Sequence, residues 1–396
     1  MNLLYNYITL NFIKRLKYLI LMEIIGEAEL PLHDGKAPPW LFSRMKSLGR
    51  EIIKSIVTEF GRNEFLLRLG DPFWFQSFGC VLGYDWHSSG VTTVLSAVIR
   101  EVLDEEDLGI VACGGKGKRS LETQDEIIRK GDKLALSDSR IAEISKASRL
   151  SAKVDNAALQ DGHNLYHHII IFSEDGNWTV VQQGMNLERK TARRYHWISQ
   201  GLKSFVNKPH SGIIAESREK EVLDLTAEES EETRRVSVDL VRDGSRRLKR
   251  MVEELSGGGL SPYLGSSLKV LKMPRRIDWR AVEEANQLDI RNFEELLLVR
   301  GLGPSLLRAL SLISEVVYGA PPSKRDPARY SFAFGGKDGV PYPVNIRLME
   351  QAIEVLRAGI LNSNIGDKDR RTALYRLSVM KRRFLLEGCD DISQSR

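Results

Sequence analysis

The sequence predicts an α+β protein: a mixed α/β N-terminal domain containing a β-hairpin, followed by a mainly helical C-terminal domain with a helix-hairpin-helix. Three observations lead there. Apolar residues recur at near-helical spacing early in the chain, as in Leu41, Met45, Leu48, Ile52, Ile56 and Phe60. The runs LYHHIIIF (165–172) and WTVVQQG (178–184) are strand-like and separated by SEDGN. Residues 293–319, FEELLLVRGLGPSLLRALSLISEVVYG, place two amphipathic helical patterns on either side of a glycine turn.

At 396 residues the chain can bury more than one ordinary core. We divide it into 1–21, an over-extended N-terminus with a surface amphipathic helix or a membrane-contacting segment as the alternatives; 22–215, the mixed α/β domain; 216–260, a charged helical connector; and 261–390, a helical nucleic-acid-binding domain. A composition of 42% hydrophobic and 28% charged residues excludes a wholly disordered or collagenous protein. Cys80, Cys113 and Cys389 contain no CxxC, which excludes a disulfide framework or an all-cysteine zinc site within one chain. The 58 basic and 53 acidic residues leave +5, which permits an anionic partner without requiring one. Three of the basic residues, Lys14, Arg15 and Lys17, interrupt the apolar first segment. A membrane span or signal peptide would not place its charges there, so we expect no integral membrane partner and a cytoplasmic location.

The elements follow in order. After Pro38-Pro39 a helix is expected over 41–60, and a short one through Leu66 and Leu67 runs toward Asp71-Pro72. The aromatic run from Phe73 to Trp86 reads as a local core around a turn. VTTVLSAVIREVL (91–103) is a helix, and GIVAC (109–113) a strand. Thr123 and Glu126 have capping-box spacing for a helix that Gly131 would follow. In the strand pair, Phe172 opposite Trp178 sets Ile170 against Val180 and His168 against Gln182. His167 and Gln183 then lie on the opposite surface. A connector over 216–255 is helix-rich and bends near Asp243-Gly244. GGG (257–259) marks the boundary, 270–320 is helical, 321–345 turn-rich, and the tail helical to about Leu386.

The strongest mechanistic pattern is Gly301-Leu302-Gly303 before Pro304, which suits the first turn of a helix. It resembles a helix-hairpin-helix DNA-binding motif. Glycines let a backbone approach phosphate closely, and the following helix offers unpaired N–H groups and its dipole. Arg300, Gly301, Leu302, Gly303, Ser305 and Arg308 are the candidate contacts. A helix-hairpin used for internal packing, or for a protein partner, fits the same residues. GGKGK (114–118) adds Lys116 and Lys118 as a second phosphate-binding candidate, although its spacing is not Walker A and an ordinary basic turn explains it equally well. Asp85 and His87 in GYDWHSSG are either packed or part of a cleft.

The densest polar cluster is SAKVDNAALQDGHNLYHH (151–168), joined by His196 of RRYHW. Lys153, Asp155, Asp161, His167, His168 and His196 are the candidate catalytic residues, by general-base chemistry or through a divalent metal. No metal or cofactor identity follows, because no HExxH-type spacing occurs and adjacent histidines on a strand point opposite ways. A structural hydrogen-bond network accounts for the same residues.

From Met22 onward the sequence resembles the DUF763 family, a largely archaeal and uncharacterised set. The strings LPLHDGKAPPWL, DPFWFQSFGCVLGYDWHSSGVTT, ACGGKGK, SAKVDNAALQDGHNLYHH, VVQQGM, ARRYHW, LLLVRGLGP and DPARYSFAFGGKDGVPYPV carry the resemblance. It implies a soluble archaeal or thermophilic source and a role in DNA metabolism, and no settled reaction. A narrower similarity is to helix-hairpin-helix DNA glycosylases, from which the sequence departs: Ser305 stands where such enzymes commonly carry lysine, and Asp326 only roughly matches their aspartate. The expected function is therefore DNA binding in DNA metabolism or repair, with a metal-assisted nuclease as the enzymatic form. A non-catalytic DNA- or RNA-binding module and a glycosylase-like base-processing enzyme are the alternatives.

Overall fold

The computed structural model describes residues 37–84, 90–215, 218–256, 272–328, 330–331 and 346–389. Among the described residues four helices come first: α1 (Pro39–Phe60), α2 (Arg62–Leu69), α3 (Pro72–Leu82) and α4 (Gly90–Glu105). Asp71 caps α3, accepting from the N–H groups of Phe73 at 2.9 Å and Trp74 at 3.4 Å. The first four aromatics, Phe73, Trp74, Phe75 and Phe78, thus lie buried within a helix and not around a turn, while Trp86 lies outside the described residues. Asp85 and His87 lie outside the described residues.

Next come β1 (Ile110–Lys116), α5 (Thr123–Lys133) and α6 (Asp138–Lys153). The capping box does not form: the Thr123 hydroxyl donates to Ser120 O, while Glu126 accepts from Gly114 N at 2.7 Å and pairs with Arg100. Gly131 lies inside α5, where a side chain would meet Ile141. A π-helical turn (Val154–Ala158) then leads into β2 (Leu159–Gln160).

The sheet strands β3 (Asn164–Ser173), β4 (Trp178–Asn186), β5 (Thr191–Ile198) and β6 (Gly212–Ala215) follow, then β7 (Leu223–Asp224). The β3–β4 register is the expected one, with Phe172 opposite Trp178, Ile170 opposite Val180, His168 opposite Gln182 and His167 opposite Gln183. The main sheet runs β1-β3-β4-β5-β6-β8, where β8 is Tyr330–Ser331 and pairs parallel to β6. β2 and β7 form a separate antiparallel pair.

The remaining helices are α7 (Glu231–Arg242), α8 (Ser245–Ser256), α9 (Trp279–Gln287), α10 (Phe293–Leu298), α11 (Pro304–Tyr318), α12 (Ile346–Asn362) and α13 (Asp367–Cys389). The connector breaks between α7 and α8 at Asp243-Gly244, as its composition indicates. The chain is an α+β protein, mixed in its N-terminal part and mainly helical in its C-terminal part.

Strand alternation divides the interior in two. Ile110, Ala112, Ile169, Ile171 and Val181 face α1–α4. Val111, Cys113, Ile170, Phe172, Val180 and Trp197 face a second core with the helices α6 to α11. Both cores cross the expected domain limits. Leu356 and Leu377 pack into the first core, and Gly359 of α12 meets Ile56 so closely that a Cβ would come within 2.7 Å of its side chain. Leu306 and Leu310 join the second.

Candidate nucleic-acid interface and buried polar centre

The glycine hairpin joins α10 to α11. Asn292 caps α10 by accepting from Glu295 N at 2.9 Å. Gly301 has φ +78°, a left-handed conformation that side chains adopt at a cost, and a Cβ there would lie 2.8 Å from Asp278 Oδ2. Gly303 differs. Its φ of −139° and ψ of −178° suit any residue, and a Cβ would meet nothing nearer than Gly301 O at 4.0 Å. Packing therefore does not require glycine at 303.

Gly303 is also the N-cap of α11 and supplies no capping side chain. Leu302 N donates to Val299 O at 3.3 Å. The N–H groups of Gly303 and Ser305 have no partner among the described residues. Gly301 and Arg300 are exposed, Gly303 and Ser305 are half-buried, and Leu302 is buried as an apolar anchor.

The predicted residues Lys153 and Arg308 do meet this hairpin, but as supports. Lys153 Nζ donates to Leu302 O at 2.6 Å, and burial, with Arg149 beside it, lowers its affinity for a proton. Arg308 directs Nε and Nη2 at Gln160 Oε1, at 3.0 and 2.7 Å, so its fork points inward. Gln160 Nε2 in turn donates to Pro304 O at 2.9 Å. On the solvent side Arg149, exposed on α6, reaches Leu298 O at 3.4 Å. Lys146 is exposed one turn earlier on the same helix.

Of GGKGK, Gly114–Lys116 end β1, Gly117 follows it, and Lys118 opens one short helical turn (Lys118–Leu121). Gly114 N is taken by Glu126 and Gly117 N by Tyr166 O at 2.9 Å, so these two glycine amides do not line an open loop. Lys116 and Lys118 are exposed, with Lys116 Nζ lying 6.0 Å from the centre of the Tyr166 ring.

The histidines separate. His167 and His168 occupy opposite sheet faces: His167 Nε2 lies 3.2 Å from Ser96 Oγ on α4, and His168 Nε2 lies 2.8 Å from Ser148 Oγ on α6. His196 is held between Leu69 O, 3.0 Å from Nδ1, and the Arg194 guanidinium, 2.9 Å from Nε2. Burial disfavours the charged form of all three and pushes His167 down to about 3. Among the described residues no group of three or more His, Cys, Asp or Glu side chains is arranged to hold a metal ion.

Asp161 sits in a closed network. Its Oδ2 accepts from Tyr195 Oη at 2.7 Å and from Arg193 Nη1 at 3.1 Å. Burial opposes its charge, yet His163, Arg193 and Tyr195 hold its carboxyl below the ordinary range. Arg193 also forks onto Asp326, whose Oδ2 accepts from Glu219 N at 2.6 Å as well.

Asp155 is the exception, because it reaches a cleft through a residue the sequence reading passed over. Its Oδ2 accepts from Trp197 Nε1 at 2.9 Å and Gln182 Nε2 at 2.5 Å. Oδ1 lies 2.5 Å from His210 Nε2. The His210 ring packs edge-on against Trp197 and lines a cleft of about 180 Å³ with Asp224, Ser323 and Arg325. The remaining nitrogen of His210 has no partner among the described residues. Sequence gave one signal: NKPHSG places a histidine after a proline in a polar loop. That loop lies 55 residues from Asp155, and no local spacing connects them.

The family model described as "Protein of unknown function (DUF763)" matches residues 26–344. No curated protein and no solved structure matches. Among the described residues no helix is long and apolar enough to cross a membrane.

Proposed function

We propose that this chain, which belongs to the DUF763 family, binds the sugar–phosphate backbone of DNA at the Gly301–Ser305 hairpin and acts in DNA metabolism. The observation that carries this reading is Gly303. Its backbone and surroundings admit any side chain, and serine or aspartate would cap α11 better, yet glycine stands beside two unpaired amides. A phosphate needs that arrangement: bare backbone to approach, free N–H groups to donate, and the positive end of a 15-residue helix. Arg300, Arg149 and Lys146 add long-range attraction. Such contacts fix register on a backbone and read no bases.

A metal-assisted nuclease built on Lys153, Asp155, Asp161, His167, His168 and His196 has little support, because these side chains are divided among separate buried networks. Asp326, the candidate aspartate of a glycosylase-like enzyme, is engaged by Arg193.

The test substitutes Gly303 with Asp. The carboxylate caps α11, so stability holds or rises by a few tenths of a kcal/mol. The same charge occupies the amides and repels phosphate, so fluorescence anisotropy with labelled duplex DNA is expected to show at least a tenfold loss of affinity. Wild-type affinity falls steeply with salt, at a logarithmic slope of about −0.9 per phosphate contact. Unchanged DNA affinity in a folded Gly303→Asp protein refutes the reading.

A further inference from the structure

We propose that His210, oriented by Asp155, is the general base of a phosphodiester hydrolysis site in the cleft beside β7, acting on the nucleic acid that the hairpin holds. The substrate class rests on the hairpin reading; the acid–base assignment rests on the cleft itself.

Four features of the cleft support it. The first is tautomer control. Asp155 is wholly buried and its Oδ2 is filled by two N–H donors, so Oδ1 is left to accept from His210 Nε2. That bond places the imidazole lone pair on Nδ1, the nitrogen without a protein partner. The second is rigidity. Trp197 and Tyr195 flank the ring, and Asp155 itself is anchored in the π-helical turn, an irregularity frequent where a helix serves a site.

The third is a complementary acid. Asp224 lines the same cleft. Its Oδ1 accepts from Thr226 N at 2.8 Å and Thr226 Oγ1 at 2.6 Å. Burial raises its carboxyl above the ordinary range, so it retains a proton more readily than a surface aspartate. An imidazole with a free nitrogen and a carboxyl that keeps its proton, facing one cleft, are the pair such a displacement uses. Exposed Arg325 and the Ser323 hydroxyl border the opening and can meet phosphoryl oxygens.

The fourth is adjacency to the hairpin. In the β2–β7 pair Leu159 lies opposite Asp224, and the next residue, Gln160, binds both Pro304 O and Arg308. Lys153, which fixes Leu302 O, is two residues before Asp155. One segment, 153–160, thus carries supports for the phosphate-binding turn and the orienting carboxylate.

The step balances without a further reactant. His210 Nδ1 takes a proton from water as the water oxygen bonds to phosphorus. The bond from phosphorus to the leaving sugar oxygen breaks, and Asp224 protonates that oxygen. Water is consumed, a phosphomonoester and a hydroxyl are released, and the imidazolium returns its proton through solvent to Asp224. Asp155 never contacts the substrate and is a positioning residue.

The experiment incubates full-length protein in EDTA with 5′-labelled single-stranded DNA, duplex DNA and single-stranded RNA, while anisotropy records binding of each in parallel. Cleavage of at least one substrate in EDTA is expected. His210→Gln keeps a partner for Asp155 and should lose about 100-fold or more in kcat, the usual share of a general base. Asp224→Asn should lose at least tenfold. Asp155→Asn, which favours the wrong imidazole tautomer, should lower kcat with KM and binding unchanged. Binding without cleavage of any substrate overturns this site and leaves the hairpin reading standing. Loss of binding with retained cleavage does the reverse. Equal cleavage by His210→Gln and wild type overturns the assignment of the base.

Discussion

Replacing Arg193 with Met tests a fully buried charge network. Arg193 is 1% exposed and bridges Asp161 and Asp326, with contacts of 3.1 and 2.9 Å from Nη1 and a further one from Nη2. Burial works against its charge, and the two carboxylates outweigh that and hold it protonated. Methionine fills part of the volume but leaves two buried carboxylates facing each other. Removing one partner of a buried ion pair costs about 3–5 kcal/mol, and both acids here depend on the same guanidinium. We therefore expect a loss of about 4 kcal/mol at pH 7, read by urea denaturation followed by circular dichroism.

The pH dependence separates charge from packing. In the wild type Asp161 is held below its ordinary value. Its contribution is thus present above the unfolded carboxylate range and lost only as pH falls through the depressed folded value. Without Arg193, burial dominates and the carboxyl moves upward, so acidification protonates it and relieves the strain. The difference between variant and wild type should shrink between pH 7 and pH 5, by about 1.4 kcal/mol for each unit by which the variant's carboxyl stands above 5. A loss under about 1 kcal/mol at pH 7 would refute the argument, since it falls below even a single broken buried pair. A larger loss that stays constant down to pH 5 would assign the effect to the missing arginine stem instead.

Three further outcomes follow from the same reasoning. Gly301→Ala should cost about 1–2 kcal/mol in thermal denaturation, because its positive φ and the 2.8 Å approach to Asp278 oppose a Cβ, whereas Gly303→Ala should be nearly neutral. Lys153→Met removes a charge-assisted bond to Leu302 O, so the hairpin amides should exchange hydrogen faster and stability should fall by about 1.5 kcal/mol. His167, His168 and His196 are buried with their proton affinities lowered, so the stability they contribute is present above the unfolded histidine value and lost as pH falls below it. From pH 7 to 5.5 the loss should be about 1 kcal/mol per histidine, and His167→Gln should reduce that slope by roughly one third in urea titrations at each pH.

The sequence spoke most clearly where local period and burial agree. The β3–β4 register was legible because one face carries Ile169 and Ile171 and the other Ile170 and Phe172, and a slip of one residue would exchange two different cores. The helices over 39–60 and 90–105 were legible from their apolar stripes. Phe73–Leu82 was not, since a helix buried all round has no polar face to reveal its period. Packing partners of α12 and α13 were also hidden: Leu356 and Leu377 look like any amphipathic positions, and nothing in one chain says that they join the same core as Ile52 and Ile56. Charge was misleading in a similar way. Arg308 sits where a phosphate contact is expected, but Gln160, 148 residues earlier, takes it.

The polar cluster of 151–168 shows why counting ligands in sequence overstates a site. Alternation in β3 sends His167 to Ser96 and His168 to Ser148, on opposite faces. Once divided, each histidine is neutral and matched to a hydroxyl, and the pair that sequence places together cannot act on one atom. Asp155 escapes this sorting because it is not on a strand. The π-helical turn that carries it inserts an extra residue between α6 and β2, which shifts the phase of the chain and turns its carboxylate toward Trp197 and His210. An α-helix continued through 158 would alter that phase. The irregular turn is thus what joins a residue prominent in the sequence to one that was not, and two residues beyond its end Gln160 supports the glycine hairpin.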